Sequence, residues 1–205
     1  MLADVLTDAG RKLVPELAMF SDFYLVGDTA LALQIGHRQS VDFDLFTTQS
    51  INPQLLPQIK KAVAPRPLTV TYQTAEQLNL IVDGVKITFF EYHYPVIEPL
   101  VPWEGLRLAS VREIAAMKAF AIGKRLAYRD YVDWYYLLHD HHVTLPEVIS
   151  LAKQKFDGDF NDRLFLGQLI SLEDVPTEPV ALLGPPLERS EIEAYLSQTV
   201  RDFQS

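Results

Sequence analysis

Asp42 and Asp44 stand one residue apart in Val41-Asp42-Phe43-Asp44-Leu45-Phe46, a run that is otherwise apolar. Successive side chains on a strand point to opposite faces. The spacing therefore puts Asp42 and Asp44 on one face, and Val41, Phe43 and Leu45 on the other. Two carboxylates held together repel, and burial adds to the cost unless something cationic lies between them. A hard divalent cation such as Mg²⁺, which takes oxygen ligands and keeps several waters, meets that need. Just upstream, the apolar run Phe23–Val26 stops at Gly27, and Thr29–Ile35 follows with helical patterning. Backbone N–H groups at a helix start form an anion site. The segment reads as a metal site beside a glycine turn where a phosphate can sit. The plainer alternative is an edge strand with two solvated aspartates.

Three further groups could do chemistry. Arg38, in the polar turn Gly36-His37-Arg38-Gln39-Ser40, carries a fork that can grip a phosphate bidentately. Lys118 lies midway along an almost wholly apolar stretch, where a lysine is costly to bury unless its ammonium meets an anion. Asp130 and Asp133 are spaced i and i+3, which places them on one helix face opposite Tyr131, Trp134 and Tyr135. An exposed Arg129–Asp133 pair at i,i+4 is the structural alternative, worth only tenths of a kcal/mol. His139, His141 and His142 read better as a helix end, where imidazolium favours the dipole, than as metal ligands.

The elements that must position these groups are legible in outline. Apolar residues between Leu2 and Phe20 recur at helical spacing. Phe23–Val26 and Val41–Phe46 predict strands, and residues 53–64 a helix with Lys60 and Lys61 at its favourable end. Leu68–Tyr72 is rich in β-formers. Two β-rich runs around Asp83-Gly84 predict a hairpin. Pro95, Pro99 and Pro102 mark the connection between an α/β half, residues 1–100, and a helical half, residues 101–205. Ser110 with Glu113 and Thr144 with Glu147 read as capping boxes. Helices are expected at about 111–126, through Tyr131–Leu138, at 160–170 and at 188–203, with the Pro-rich 176–186 stretch a loop.

The bulk numbers set limits. The chain has 205 residues, 48% hydrophobic and 22% charged, an ordinary soluble balance. Having no cysteine, it can form no disulfide and do no thiolate chemistry. No basic-then-apolar leader opens it, and no apolar run approaches the roughly 18 residues of a membrane span. A cytoplasmic protein is expected. The net charge of −9 argues against extensive wrapping of nucleic acid. Between Arg107 and Arg129, however, six basic residues stand against the single acid Glu113, which suits a small anion or a grip on a polynucleotide end.

Gly27 to Phe46 resembles the nucleotidyltransferase signature of the DNA polymerase β-like superfamily: a glycine turn, a short helix, then alternating apolar and Asp positions. Its wording is similar to the AbiEii/AbiGii toxin family. Gly84–Phe90 with Tyr94-Pro95, and Ala115–Ile122 with Arg125 and Arg129-Asp130-Tyr131-Val132-Asp133, resemble two further blocks of that family. The three blocks span residues 23–138. The resemblance implies an α+β fold, a small mixed sheet flanked by helices and followed by a C-terminal helical bundle, with the active site between the halves. It implies Mg²⁺ (or Mn²⁺) on Asp42 and Asp44, and an NTP held around Gly27, Asp28, Thr29, Arg38, Ser40 and Lys118. It also makes Lys118, against phosphate or an active-site carboxylate, and Asp130 or Asp133 part of the catalytic centre. The implied reaction moves a nucleotidyl group from NTP to an acceptor hydroxyl. A tRNA end is the implied acceptor, and an antitoxin protein the implied partner in a toxin–antitoxin or phage-defence pair. Asp28 departs from the motif, which usually has Gly or Ser there; a carboxylate repels phosphate unless it points away or binds metal. Two other readings follow: a catalytically impaired nucleotide-binding or interaction protein, and an enzyme that nucleotidylates protein. A third carboxylate on a later strand would fall near Thr88 or Glu91, and Glu91 serves only if its face matches that of the aspartates.

Overall fold

The computed structural model describes residues 3–122, 124 and 127–205; Leu2 and Arg125, both used above, lie outside them. The chain forms two compact units, Met1–Ser110 and Val111–Ser205.

In the first unit, the helical pattern at the start is broken up rather than continuous. A 3₁₀ turn (Ala3–Val5) is followed by α1 (Asp8–Arg11) and α2 (Val14–Leu17). Thr7 caps α1, and Pro15 opens α2, a position where its missing N–H costs nothing. Then come β1 (Tyr24–Val26), α3 (Gly27–Ile35), β2 (Phe43–Thr47) and α4 (Leu55–Val63). The remaining strands are β3 (Leu68–Gln73), β4 (Gln77–Val82), β5 (Val85–Glu91), β6 (Val101–Trp103) and β7 (Leu106–Leu108). They build a seven-stranded mixed sheet in the order β3-β4-β5-β2-β1-β7-β6. β1 is antiparallel to β2, and β2 is parallel to β5. Phe43, Leu45, Ile87 and Phe89 are fully buried and make the core face of the central strands.

The hairpin around Asp83-Gly84 forms as predicted, both residues having positive φ as a two-residue type I′ turn requires. A second hairpin joins β6 and β7 through Glu104 and Gly105, also at positive φ. It lies past residue 100, where the sequence suggested the helical half begins. The first unit thus runs to Ser110, and β7 pairs with β1 in parallel.

The second unit is helical: α5 (Val111–Ala121), α6 (Tyr128–His139), α7 (Leu145–Phe156), a 3₁₀ turn (Asp157–Asp159), α8 (Asp162–Leu169) and α9 (Arg189–Gln204). The Thr144–Glu147 capping box is formed in both directions. The Glu113 carboxylate also accepts from Lys155 at 2.6 Å, both side chains fully buried. That bond ties α5 to α7. Trp134 packs against Phe165 at the centre of this unit. Among the described residues no helix is long and apolar enough to cross a membrane.

Candidate active site

Gly27 is the first residue of α3, directly after β1, with φ 68°. A side chain there would be strained by that dihedral. It would also collide, because a Cβ on Gly27 would sit 2.9 Å from Asp44 Oδ2. The reason is the sheet register, which pairs Val26 with Asp44 and so lays the Asp44 carboxylate over the turn. The glycine turn and the second aspartate therefore lie against each other.

Asp44 is half-buried in β2, between fully buried Phe43 and Leu45. Its carboxyl is pushed up from the ordinary aspartate range, first by burial and next by the Asp28 charge. The Thr88 hydroxyl, bonded to it from the facing position on β5, draws it part of the way back. Asp42 pushes in the same direction as Asp28, and Lys86 in the opposite one. Asp42 itself precedes the strand, since β2 begins at Phe43 rather than at Val41. Its backbone is anchored: the Thr29 hydroxyl donates to the Asp42 carbonyl and lies 2.7 Å from the Ser40 hydroxyl. Thr29 and Ser40 are both buried. Their hydroxyls are thus engaged around the Asp42 backbone.

Asp28 and Arg38 form a pair. Arg38 Nη2 lies 3.0 Å from Asp28 Oδ2, and the arginine is buried. Its other terminal nitrogen donates to the Gln39 carbonyl at 3.2 Å. The guanidinium expected to meet a phosphate is thus engaged with the carboxylate that departs from the motif. Asp28, whose position raised the question of phosphate repulsion, is the carboxylate that acts most strongly on Asp44, ahead of Asp42. Glu91 does not complete the set. It pairs with Thr47, on the core parity of β2, while Thr88 occupies the position opposite Asp44.

In the second unit, Lys118 Nζ lies 3.0 Å from Asp130 Oδ1 and 2.6 Å from Asp133 Oδ2. All three side chains are buried. The ammonium thus meets carboxylates, one of the two kinds of anion expected for it, and both aspartates take part. The Asp133 side chain is fully buried against Lys118, so the exposed pair of the structural alternative does not describe it. The histidines follow the helix-end reading: α6 ends at His139, which stacks on Tyr135 and lies 2.7 Å from Asp140.

A glycine turn under a carboxylate strand, in a small mixed sheet preceding a helical unit, defines a nucleotidyltransferase-type fold. The match to solved structures agrees. An H. pylori protein proposed to be a nucleotidyltransferase superposes with a TM-score of 0.62 at 23% identity, covering 93% of this chain and 89% of that one. JHP933 from Helicobacter pylori gives 0.54 at 20% identity, over 95% of this chain and 90% of that one. These likenesses concern the fold. The family is shown by sequence: residues 13–205 match the model of the nucleotidyl transferase AbiEii toxin family of type IV toxin–antitoxin systems, and the chain belongs to that family. A protein of unassigned function from Aquifex aeolicus (strain VF5), aq_aa25, is 34% identical over 197 residues, 93% of this chain and 92% of the relative.

Proposed function

We propose that this protein transfers a nucleotidyl group from an NTP to an acceptor hydroxyl. The acceptor oxygen bonds to the α-phosphorus, the bond to the bridging oxygen of the β-phosphate breaks, pyrophosphate leaves and the hydroxyl proton is released. One observation carries the reading: the Asp44 carboxyl lies over the Gly27 turn, raised by burial and by the Asp28 and Asp42 charges. Such an oxygen-rich, negatively overloaded pocket fits a hard divalent cation, Mg²⁺ or Mn²⁺, with Asp42 and Asp44 as its holders. When bound, the metal neutralises charge developing on the phosphate oxygens.

The chain's own residues do the rest. The first turn of α3, from Gly27 to Thr29, receives the triphosphate on its N–H groups. Arg38 offsets the Asp28 charge, which lessens the repulsion that Asp28 would otherwise exert on a phosphate. Thr29 and Ser40 keep Asp42 in place. In the helical unit, Lys118 with Asp130 and Asp133 acts as a positioning group that fixes α5 against α6. The acceptor is an RNA end, tRNA included. The partner implied by family membership is a cognate antitoxin, and the NTP supply places the reaction in the cytoplasm.

The test uses labelled NTPs, Mg²⁺ and total tRNA, with the native chain and a double Asp42→Ala, Asp44→Ala variant. Label should enter RNA only with the native chain. Equal transfer by both sinks the site assignment. Label appearing in protein would favour a protein-nucleotidylating enzyme. Mg²⁺-dependent NTP binding with no turnover on any acceptor would favour the impaired binding protein that Asp28 suggests.

A further inference from the structure

The face of the sheet that carries Asp44 also carries a row of aromatic rings. On β2, Asp44 and Phe46 share one parity, and Phe43, Leu45 and Thr47 take the buried one. On β5, Thr88 and Phe90 stand directly beside them, because the parallel register pairs Asp44 with Thr88 and Phe46 with Phe90. The next step is Tyr92, whose backbone N–H still bonds to the Thr47 carbonyl at 2.7 Å. Ring centroids lie 5.2 Å apart for Phe46 and Phe90, and 5.0 Å for Phe46 and Tyr92. Tyr94 extends the row, 5.3 Å from Tyr92. All four rings are half-buried, on a face whose other members include Asp44, Thr88 and exposed Lys86. A sheet face that alternates charge with partly open aromatic rings is not the packing face of these strands.

The direction of the row matters. β1 is antiparallel to β2, with Val26 opposite Asp44 and Tyr24 opposite Phe46. Gly27 and the start of α3 therefore lie beyond Asp44 on one side, and Phe46 lies on the other. Two residues of strand span about 6.6 Å, so the first ring follows the carboxylate by roughly the length of a sugar. In-line displacement at phosphorus puts the attacking and leaving oxygens on opposite sides. If the triphosphate rests on the α3 turn, pyrophosphate leaves on that side. The acceptor hydroxyl must then come from the side of Phe46.

We infer that Phe46, Phe90 and Tyr92 form a stacking platform for the terminal base of the acceptor strand, a deepening that rests on the nucleotidyl-transfer reading. Stacking suits this chain. With a net charge of −9 it cannot draw nucleic acid by a broad basic surface. Base–aromatic stacking needs no such charge and tolerates any base. The acceptor is recognised by its unpaired end, and only one or two nucleotides need be held.

The experiment compares two short fluorescein-labelled oligo(A) RNAs, one intact and one abasic at its 3′ end. Binding is read by anisotropy with the full chain. The native protein should prefer the intact end by about 5- to 150-fold. A Phe46→Leu, Phe90→Leu variant, which keeps apolar bulk, should bind both RNAs alike, and Phe46→Trp should keep the preference. NTP binding should be the same in all of them. A native protein indifferent to the missing base overturns the proposal, as does a leucine variant that retains the preference. Loss of NTP affinity with RNA preference intact also overturns it, and gives the rings to the donor base. Failure of nucleotidyl transfer itself would show differently: no label in RNA from the native chain, with the base preference still present.

Discussion

Two sets of carboxylates are built into this chain, and they differ in how their charge is answered. In the helical unit, Asp130 and Asp133 close on a single ammonium, Lys118, within 3.0 and 2.6 Å, and all three are buried. In the sheet unit, Asp28 and Asp42 both push up the Asp44 carboxyl, and the buried Arg38 lies 3.0 Å from Asp28. Asp44 is left with a raised carboxyl and a hydroxyl for company. In the first set an ammonium meets the carboxylates directly. The second holds an excess of negative charge that folding alone does not relieve. Sites of that second kind are where a protein gives up stability to hold a ligand.

The largest effect is expected on activity. Replacing Asp42 and Asp44 together by Ala should lower nucleotidyl transfer by about 10³-fold or more, measured as label incorporated from NTP, without lowering the melting temperature. Lys118→Met should do the reverse to stability. Leaving two buried carboxylates without their ammonium should cost about 3–5 kcal/mol by urea denaturation. Adding Asp130→Asn and Asp133→Asn to it should recover much of that loss. If Lys118→Met is as stable as the native chain, the helical cluster is not the structural element described here. Gly27→Ala should cost about 1–3 kcal/mol for its left-handed backbone, together with a drop in activity as Asp44 is displaced; the paired readout is denaturation and label transfer.

The smallest effect concerns pH. A folded-state pKa above the unfolded one means the folded protein disfavours the Asp44 charge. Below the unfolded pKa Asp44 is protonated in both states and adds no pH-dependent cost. As pH rises through the unfolded value toward the folded one, stability is lost, and it stays lost at neutral pH. Asp44→Asn should therefore melt above the native chain near neutrality, by a margin that closes on acidification. Equal margins at all pH values would show that Asp44 is not under strain.

Much of the sheet site was legible because its signals are local. Gly27 and the two aspartates fall within eighteen residues, and strand parity with a glycine turn is enough to bring them together. The Asp83-Gly84 hairpin and the Thr144–Glu147 cap are likewise complete within a few residues. What escaped was long-range or short-run. The β6–β7 hairpin has three-residue strands, one containing Pro102, and its place beside β1 rests on a pairing 83 positions away in sequence, Leu25 with Leu108. The bond between Glu113 and Lys155, 42 residues on, had no signal in the sequence. The aspartate pair on α6 was seen, but periodicity could not say which one mattered; Lys118 reaches both. Nothing in the sequence shows that the α3 turn brings Asp28 to Arg38.

The contrast between the two carboxylate sets is tested most directly by the melting temperature with and without Mg²⁺, for the native chain and for Asp44→Asn. Mg²⁺ should raise the melting temperature of the native chain toward or above that of Asp44→Asn, and leave the variant nearly unmoved. A rise of equal size in both would contradict it.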